Sequence, residues 1–139
     1  SYDLVVFAGV LEYSGAYAEQ GVSPEAQLEL TLRHARAALK PGGQILIAIE
    51  NRTGFKYLAG ASEDHLNVPN IGLLDYPEPL SGEITRGIRT WSKRQWHEML
   101  QAFGFANYEF CYPFPDYKVP DAIISDHFLM MNKHPEQVL

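Results

Sequence analysis

"GGQILIAIENRTGFKYLAGASEDH", residues 42–65, contains the transition on which the fold turns. Ile45 to Ile49 is a continuous apolar run that stops abruptly at Glu50-Asn51-Arg52. A run of that length and composition predicts a strand, Gln44 to Ile49, covered on both faces, as in parallel sheets. Upstream, Leu28, Leu32, Ala35 and Leu39 recur at spacings of four, three and four, which sets them on one face of a helix. Ser23-Pro24 supplies its start, because serine accepts from a free backbone N–H and proline suits the first helical position. Glu29 and Arg33 can pair on its outer side. Pro41-Gly42-Gly43 is expected to stop it. Further upstream, Leu4 to Ala8 is a second short apolar run, closed by Gly9. Strand, helix and strand make a βαβ unit with a right-handed crossover. Glu12 to Val22, small and polar, reads as a loop.

Downstream, Asn51 to Thr90 shows no periodicity and includes Pro69, Pro77 and Pro79. A loop of this length is functional or holds small elements, and Phe55 to Ala61 fits one helical turn or two. Ser92 and Gln95 match a capping box. Trp96, Met99, Leu100 and Phe103 form the apolar face of the helix that follows, with Gly104 just past its end. Tyr108, Phe110 and Tyr112 alternate with Asn107, Glu109 and Cys111, a strand with one wetter face. Pro113 to Pro120 reads as a connection, and a final strand is expected within Asp121 to Met131. Too few residues separate these last strands for a crossover helix, so they should be antiparallel neighbours. The fold class is α/β: a partial doubly wound, Rossmann-like sheet, mostly parallel with an antiparallel C-terminal pair. Its order is β-α-β-(long loop)-α-β-β in a single domain, 1–139.

The chain has 139 residues, 46% hydrophobic and 20% charged, values typical of a globular domain. A formal net charge of −6 argues against non-specific binding to nucleic acid or anionic membrane. The single cysteine, Cys111, precludes an intrachain disulfide and fits a reducing compartment. No apolar run approaches the roughly 20 residues that cross a bilayer. No signal-peptide layout opens the sequence, so a soluble cytoplasmic protein is expected. The five histidines lack metal-ligand spacing, so no metal is expected. Ser1-Tyr2-Asp3 leads almost at once into an apolar strand. Either that strand lies near a true terminus or the chain is a piece of something longer, and the second reading is favoured.

In open parallel sheets ligands bind beyond the carboxyl ends of the strands. Two such ends are expected side by side: Gly9-Val10-Leu11-Glu12-Tyr13 and Glu50-Asn51-Arg52. Polar residues where a strand meets water need no ligand, but the long unpatterned segment that follows favours a site.

"YDLVVFAGVLEY", "LRHARAALKPGGQILIAIEN" and "TWSKRQWHEMLQAFGF", in that order, resemble the C-terminal half of a class I S-adenosylmethionine-dependent methyltransferase. "ENRTGFKYLAGASEDH" and "YPFPDYKVP" further resemble the methyltransferase modules of bacterial proteins associated with glycosyltransferases and surface-polysaccharide assembly. The resemblance covers most of the chain and aligns it with that family's fourth to seventh strands. The family's glycine-rich loop has no counterpart, since no G-x-G occurs in the sequence.

The resemblance implies that Ala8, Gly9, Leu11 and Tyr13 face the methionine end of S-adenosylmethionine. It implies Glu50, His65 and Asp64 as candidates for the base that serves an oxygen nucleophile. Asn51, Arg52, Lys56 and Tyr57 would meet the acceptor, a sugar or glycan precursor, with Arg52 and Lys56 suited to an anionic group and Tyr57 to a sugar ring. Packing is the ordinary alternative for Tyr13 and Tyr57, and the basic group Arg86, Arg89, Lys93 and Arg94 could hold an anion, with a solvated face as the favoured alternative. The chain alone would lack half of the cofactor site and be inactive. A strand Leu4–Ala8 without its family neighbour would expose an apolar edge and favour homo-oligomers. The rival readings are a non-catalytic interaction module with this half-fold and another doubly wound enzyme, such as a nicotinamide-dependent one.

Overall fold

The computed structural model describes residues 1–77 and 87–131. Valine-rich β1 (Tyr2–Ala8) and β2 (Leu39–Ala48) pair in parallel, with Val5 opposite Ile45 and Ala8 opposite Ala48. They are joined through a 3-10 helix, Leu11–Tyr17, and α1 (Pro24–Ala38), which packs on that helix and on β2. Ser23 caps α1 by accepting from the Ala26 N–H at 3.2 Å, and Pro24 opens it. Leu28 and Leu32 are fully buried on its inner face, while Glu29 and Arg33 pair outside at 2.8 Å.

Two local expectations are corrected. Glu12 to Val22 is not all loop: its first half, with Leu11, coils into the 3-10 helix, closed by a bond from Ser14 Oγ to the Leu11 carbonyl at 2.7 Å. Nor does Pro41-Gly42-Gly43 stop α1, which ends at Ala38 and passes directly into β2. The ladder pairs Tyr2 with Leu39 and then Leu4 with Gln44, so the extra residues bulge from β2. Gly42 takes φ +80 there, a left-handed conformation that glycine adopts without a steric penalty.

After β2, α2 (Phe55–Leu58) is a single turn, at the short end of the expectation. Bridges Ser62–Pro69 and Asn51–Trp91 organise the long segment. Pro79 and Arg86 lie outside the described residues. α3 (Lys93–Ala102) begins with the full Ser92/Gln95 capping box, the two side chains satisfying each other's backbone N–H groups. Its Trp96 and Leu100 are buried, and Trp96 meets Trp91 edge to face at 5.6 Å. Arg36, in the last turn of α1, donates to the Gly104 carbonyl at 3.0 Å, joining the ends of α1 and α3.

The chain divides into two compact units, Ser1–Gly104 and Phe105–Leu139. In the second, β3 (Cys111–Phe114) and β4 (Ala122–Ser125) pair antiparallel as expected, Tyr112 opposite Ile124. The predicted alternation is visible in burial, with Tyr108, Phe110 and Tyr112 half-buried and Asn107, Glu109 and Cys111 exposed. The ladder itself starts only at Cys111 and takes in Pro113 and Phe114, which the sequence assigns to the connection. β4 lies within the expected Asp121–Met131, and the rest of that range, Asp126–Met131, is a short helix, α4. Among the described residues the architecture is thus mixed α/β, with one two-stranded parallel sheet and one two-stranded antiparallel sheet. No helix among the described residues is long and apolar enough to cross a membrane.

Candidate functional site

β1 and β2 end side by side. The Gly9 N–H donates to the Ala48 carbonyl at 2.8 Å, closing the ladder, and φ +61 at Gly9 turns the chain out of it. The 3-10 helix that follows sends Leu11 and Glu12 inwards, each 2% exposed. β2 leaves into Glu50, also buried. Asn51 is exposed, and its Oδ1 accepts from the Thr53 N–H (3.0 Å) and Oγ1 (2.9 Å), an Asx turn that redirects the chain.

A third segment completes the site. The turn pinched by the Ser62–Pro69 bridge carries Glu63 and His65. Glu63 Oε2 accepts from the backbone N–H groups of His65 (2.8 Å) and Leu66 (2.7 Å), and Oε1 lies 2.9 Å from His65 Nδ1. The Tyr76 hydroxyl lies 3.4 Å from Glu63 Oε1 and 2.9 Å from Thr90 Oγ1, an entirely buried contact. On the other side of the imidazole, Nε2 faces Glu12 Oε1 at 3.4 Å, and Tyr13 stands edge-on to the ring at 5.3 Å. Glu12, Glu50 and His65 therefore bring one potential ligand atom each to within 4.8 Å of one another. The second oxygen of Glu12, Oε2, is buried without a hydrogen-bond partner among the described residues.

The electrostatics follow from this packing. Hydrogen bonding to Glu12 and then to Glu63 outweighs desolvation and pushes the His65 pKa up to about 10. Without a further ligand the ring is a cation at neutral pH, and a protonated ring cannot take a proton. Burial works against the Glu63 carboxylate, but the bonds from the His65 ring and from the Leu66 and His65 amides hold it below its usual range. Burial raises the Tyr13 phenol, with Glu12 and Glu50 adding to the effect.

Of the candidate bases, Glu50 and His65 meet in this cluster, whereas Asp64 turns away. Its Oδ2 receives Lys56 Nζ and, at 2.9 Å, the Tyr57 hydroxyl. Those bonds prevail over partial burial and lower the Asp64 pKa, while burial and then Asp64 raise that of Tyr57. Tyr57 is buried, a core residue rather than an open sugar platform. Arg52 is committed to the fold: Nε donates to Gln95 Oε1 at 2.8 Å and Nη1 to the Gly72 carbonyl at 2.7 Å. It flanks a narrow cleft also lined by Tyr57, Glu63, Gly72 and Thr90. Ala8 lies at the exposed end of β1, and Leu11 in the core. Arg89 bridges Glu25 on α1 (3.0 Å) and Asp75 (2.8 Å), and Arg94 pairs with Glu98 on the surface of α3.

Sequence reasoning assigned no role to Glu12 or Glu63. The signal for Glu63 was its place two residues before His65, close enough for its carboxylate to bond the intervening backbone and the ring. Glu12 carried no local signal beyond lying in a strand exit. The expectation of no metal rested on spacing along the chain, whereas the clustered ligand atoms come from three separate segments. Comparison with protein-family models, with curated proteins and with solved structures finds no match to this chain.

Proposed function

We propose that the chain is the C-terminal part of an S-adenosylmethionine-dependent methyltransferase domain, acting on an oxygen of a sugar or glycan precursor. The observation that supports this reading best is the parallel pair β1–β2, whose exits converge on buried polar groups, the place where open α/β sheets bind ligands. S-adenosylmethionine carries a sulfonium and an ammonium group, and the exits offer carboxylates, Glu12 and Glu50. One of their buried oxygens, Glu12 Oε2, lacks a donor among the described residues. Gly9, left-handed and without a side chain, permits close approach of a ligand to the backbone. These residues fit the methionine end of the cofactor. When bound, it would supply an electrophilic methyl group. Ala8 and Gly9 would hold it through backbone, with Tyr13 beside them, and Glu50 would accept the proton of the acceptor hydroxyl. Exposed Asn51 is the residue of the second exit free to reach an acceptor. Arg52, Lys56 and Tyr57 would instead shape the loop behind it.

Titration calorimetry with S-adenosylmethionine and S-adenosylhomocysteine tests this, on the present chain and on a chain extended upstream. Saturable binding by the extended chain, with at most weak binding by the present one, is expected. Absence of binding by both would overturn the reading.

A second reading, a non-catalytic module that pairs through the same half-fold and forms a homo-oligomer, is favoured by one specific observation. Leu4, Val6 and Leu46, on neighbouring strands, are each more than half exposed, and among the described residues β1 has a ladder partner on one side only. Such an apolar face and edge favour association.

A further inference from the structure

We propose that Glu12, Glu50 and His65 form a binding site for one divalent metal ion of the Mn2+ or Zn2+ type. The proposal does not rest on the methyl-transfer reading. The donors come first. Three residues from the 3-10 helix, the exit of β2 and the turn after Ser62 bring ligand-type atoms within 4.8 Å of one another. Metal–ligand bonds of about 2.0–2.2 Å set coordinating atoms roughly 3–4 Å apart. The separation of 3.4 Å between Glu12 Oε1 and His65 Nε2 already lies in that range.

The imidazole is also oriented in advance. Glu63 fixes Nδ1 at 2.9 Å and is itself fixed by two backbone N–H groups. Nε2 is left facing Glu12 Oε1 at 3.4 Å. A carboxylate bonded to the far nitrogen is the usual support of a metal-binding histidine.

An independent observation concerns Glu12 itself. It is 2% exposed, yet its Oε2 meets no hydrogen-bond donor among the described residues. A buried carboxylate oxygen in that state is costly unless a cation reaches it. Three buried carboxylates, Glu12, Glu50 and Glu63, surround one imidazole, and a divalent ion would offset the excess negative charge. Mixed carboxylate and imidazole donors suit Mn2+ and Zn2+ better than an all-oxygen ion such as Ca2+.

The test is calorimetric titration of the chelator-treated chain with Mn2+. One ion per chain is expected. Glu12→Gln should weaken binding by at least about tenfold, and Glu63→Gln by roughly 10–100-fold, as for other supporting groups. Glu29→Gln, in the surface pair with Arg33, should leave it unchanged. Absence of saturable binding, or equal affinity in Glu12→Gln, would overturn the site. A readout on the unaltered chain guards against misfolded variants: substoichiometric Mn2+ should broaden the ring resonances of His65 before those of the other histidines. Equal broadening of all histidines would also overturn it. Metal uptake and cofactor binding are separate measurements, so the failure of one leaves the other standing.

Discussion

At the scale of single residues, the site depends on side chains whose partners lie far away in the sequence. Glu63 and His65 were within reach of sequence reasoning as a local pair, and Glu50 as a carboxylate ending a buried run. Glu12 was not, because its burial arises only when the 3-10 helix packs beneath α1. Arg52 is the opposite case. A guanidinium after a strand reads as an anion clamp, but its Gln95 and Gly72 partners, 43 and 20 residues away, make it a brace. Arg52→Ala should therefore cost stability, about 1.5–3 kcal/mol for bonds from a charged donor to part-buried acceptors, measured by urea denaturation. An unchanged stability would contradict the brace. Cys111 offers a test by pH. Desolvation of the thiol by its neighbours, then the charges of Glu109 and Asp126, raise its pKa. Because the thiolate is the reactive form, alkylation by iodoacetamide should reach half its maximal rate above the ordinary midpoint near pH 8.5. Glu109→Gln should move that midpoint down. A midpoint at or below the ordinary value would contradict the assignment.

At the scale of elements, what could be read was what is encoded locally. α1 and α3 carry their caps and apolar faces within a few residues, and both formed as expected. Ser92→Ala should remove the α3 capping box at a cost of about 0.5–2 kcal/mol. Leu32→Ala, at a position with no exposure, should cost about 2–5 kcal/mol through the cavity it leaves. Both are read from denaturation midpoints, and a Leu32→Ala change below about 1 kcal/mol would mean that α1 does not pack as described. The elements missed were those without a local code. The 3-10 helix is secured from outside, its Glu12 carbonyl accepting from the distant Arg89 N–H at 3.0 Å. Pro-Gly-Gly normally marks a stop, yet here the pairing with β1 resumes beyond it and confines the irregularity to a bulge. The last strand lies within the expected Asp121–Met131, at Ala122–Ser125, but its limits were not legible, and the helical turn Asp126–Met131 after it was not foreseen.

At the scale of the whole molecule, the two apolar strands organise the first unit and carry the proposal that the chain associates with itself. A run without alternation predicts cover on both faces. Val5, Phe7, Ile45 and Ile47 are half-buried, whereas Leu4, Val6 and Leu46 on the opposite face are exposed. That uncovered face is compatible with a larger doubly wound sheet and with self-association. Sedimentation should reveal a dimer or larger species that Val6→Lys disperses, and a monomer at all concentrations would remove the oligomer reading. The methyl-transfer reading depends on the other end of the same strands. Its most direct test is to titrate S-adenosylhomocysteine into an isotope-labelled chain extended upstream and follow its backbone amides. Saturable shifts centred on Gly9, Glu12 and Glu50 are predicted; amides that stay fixed there, or that move only elsewhere, would contradict a cofactor site at the exits of β1 and β2.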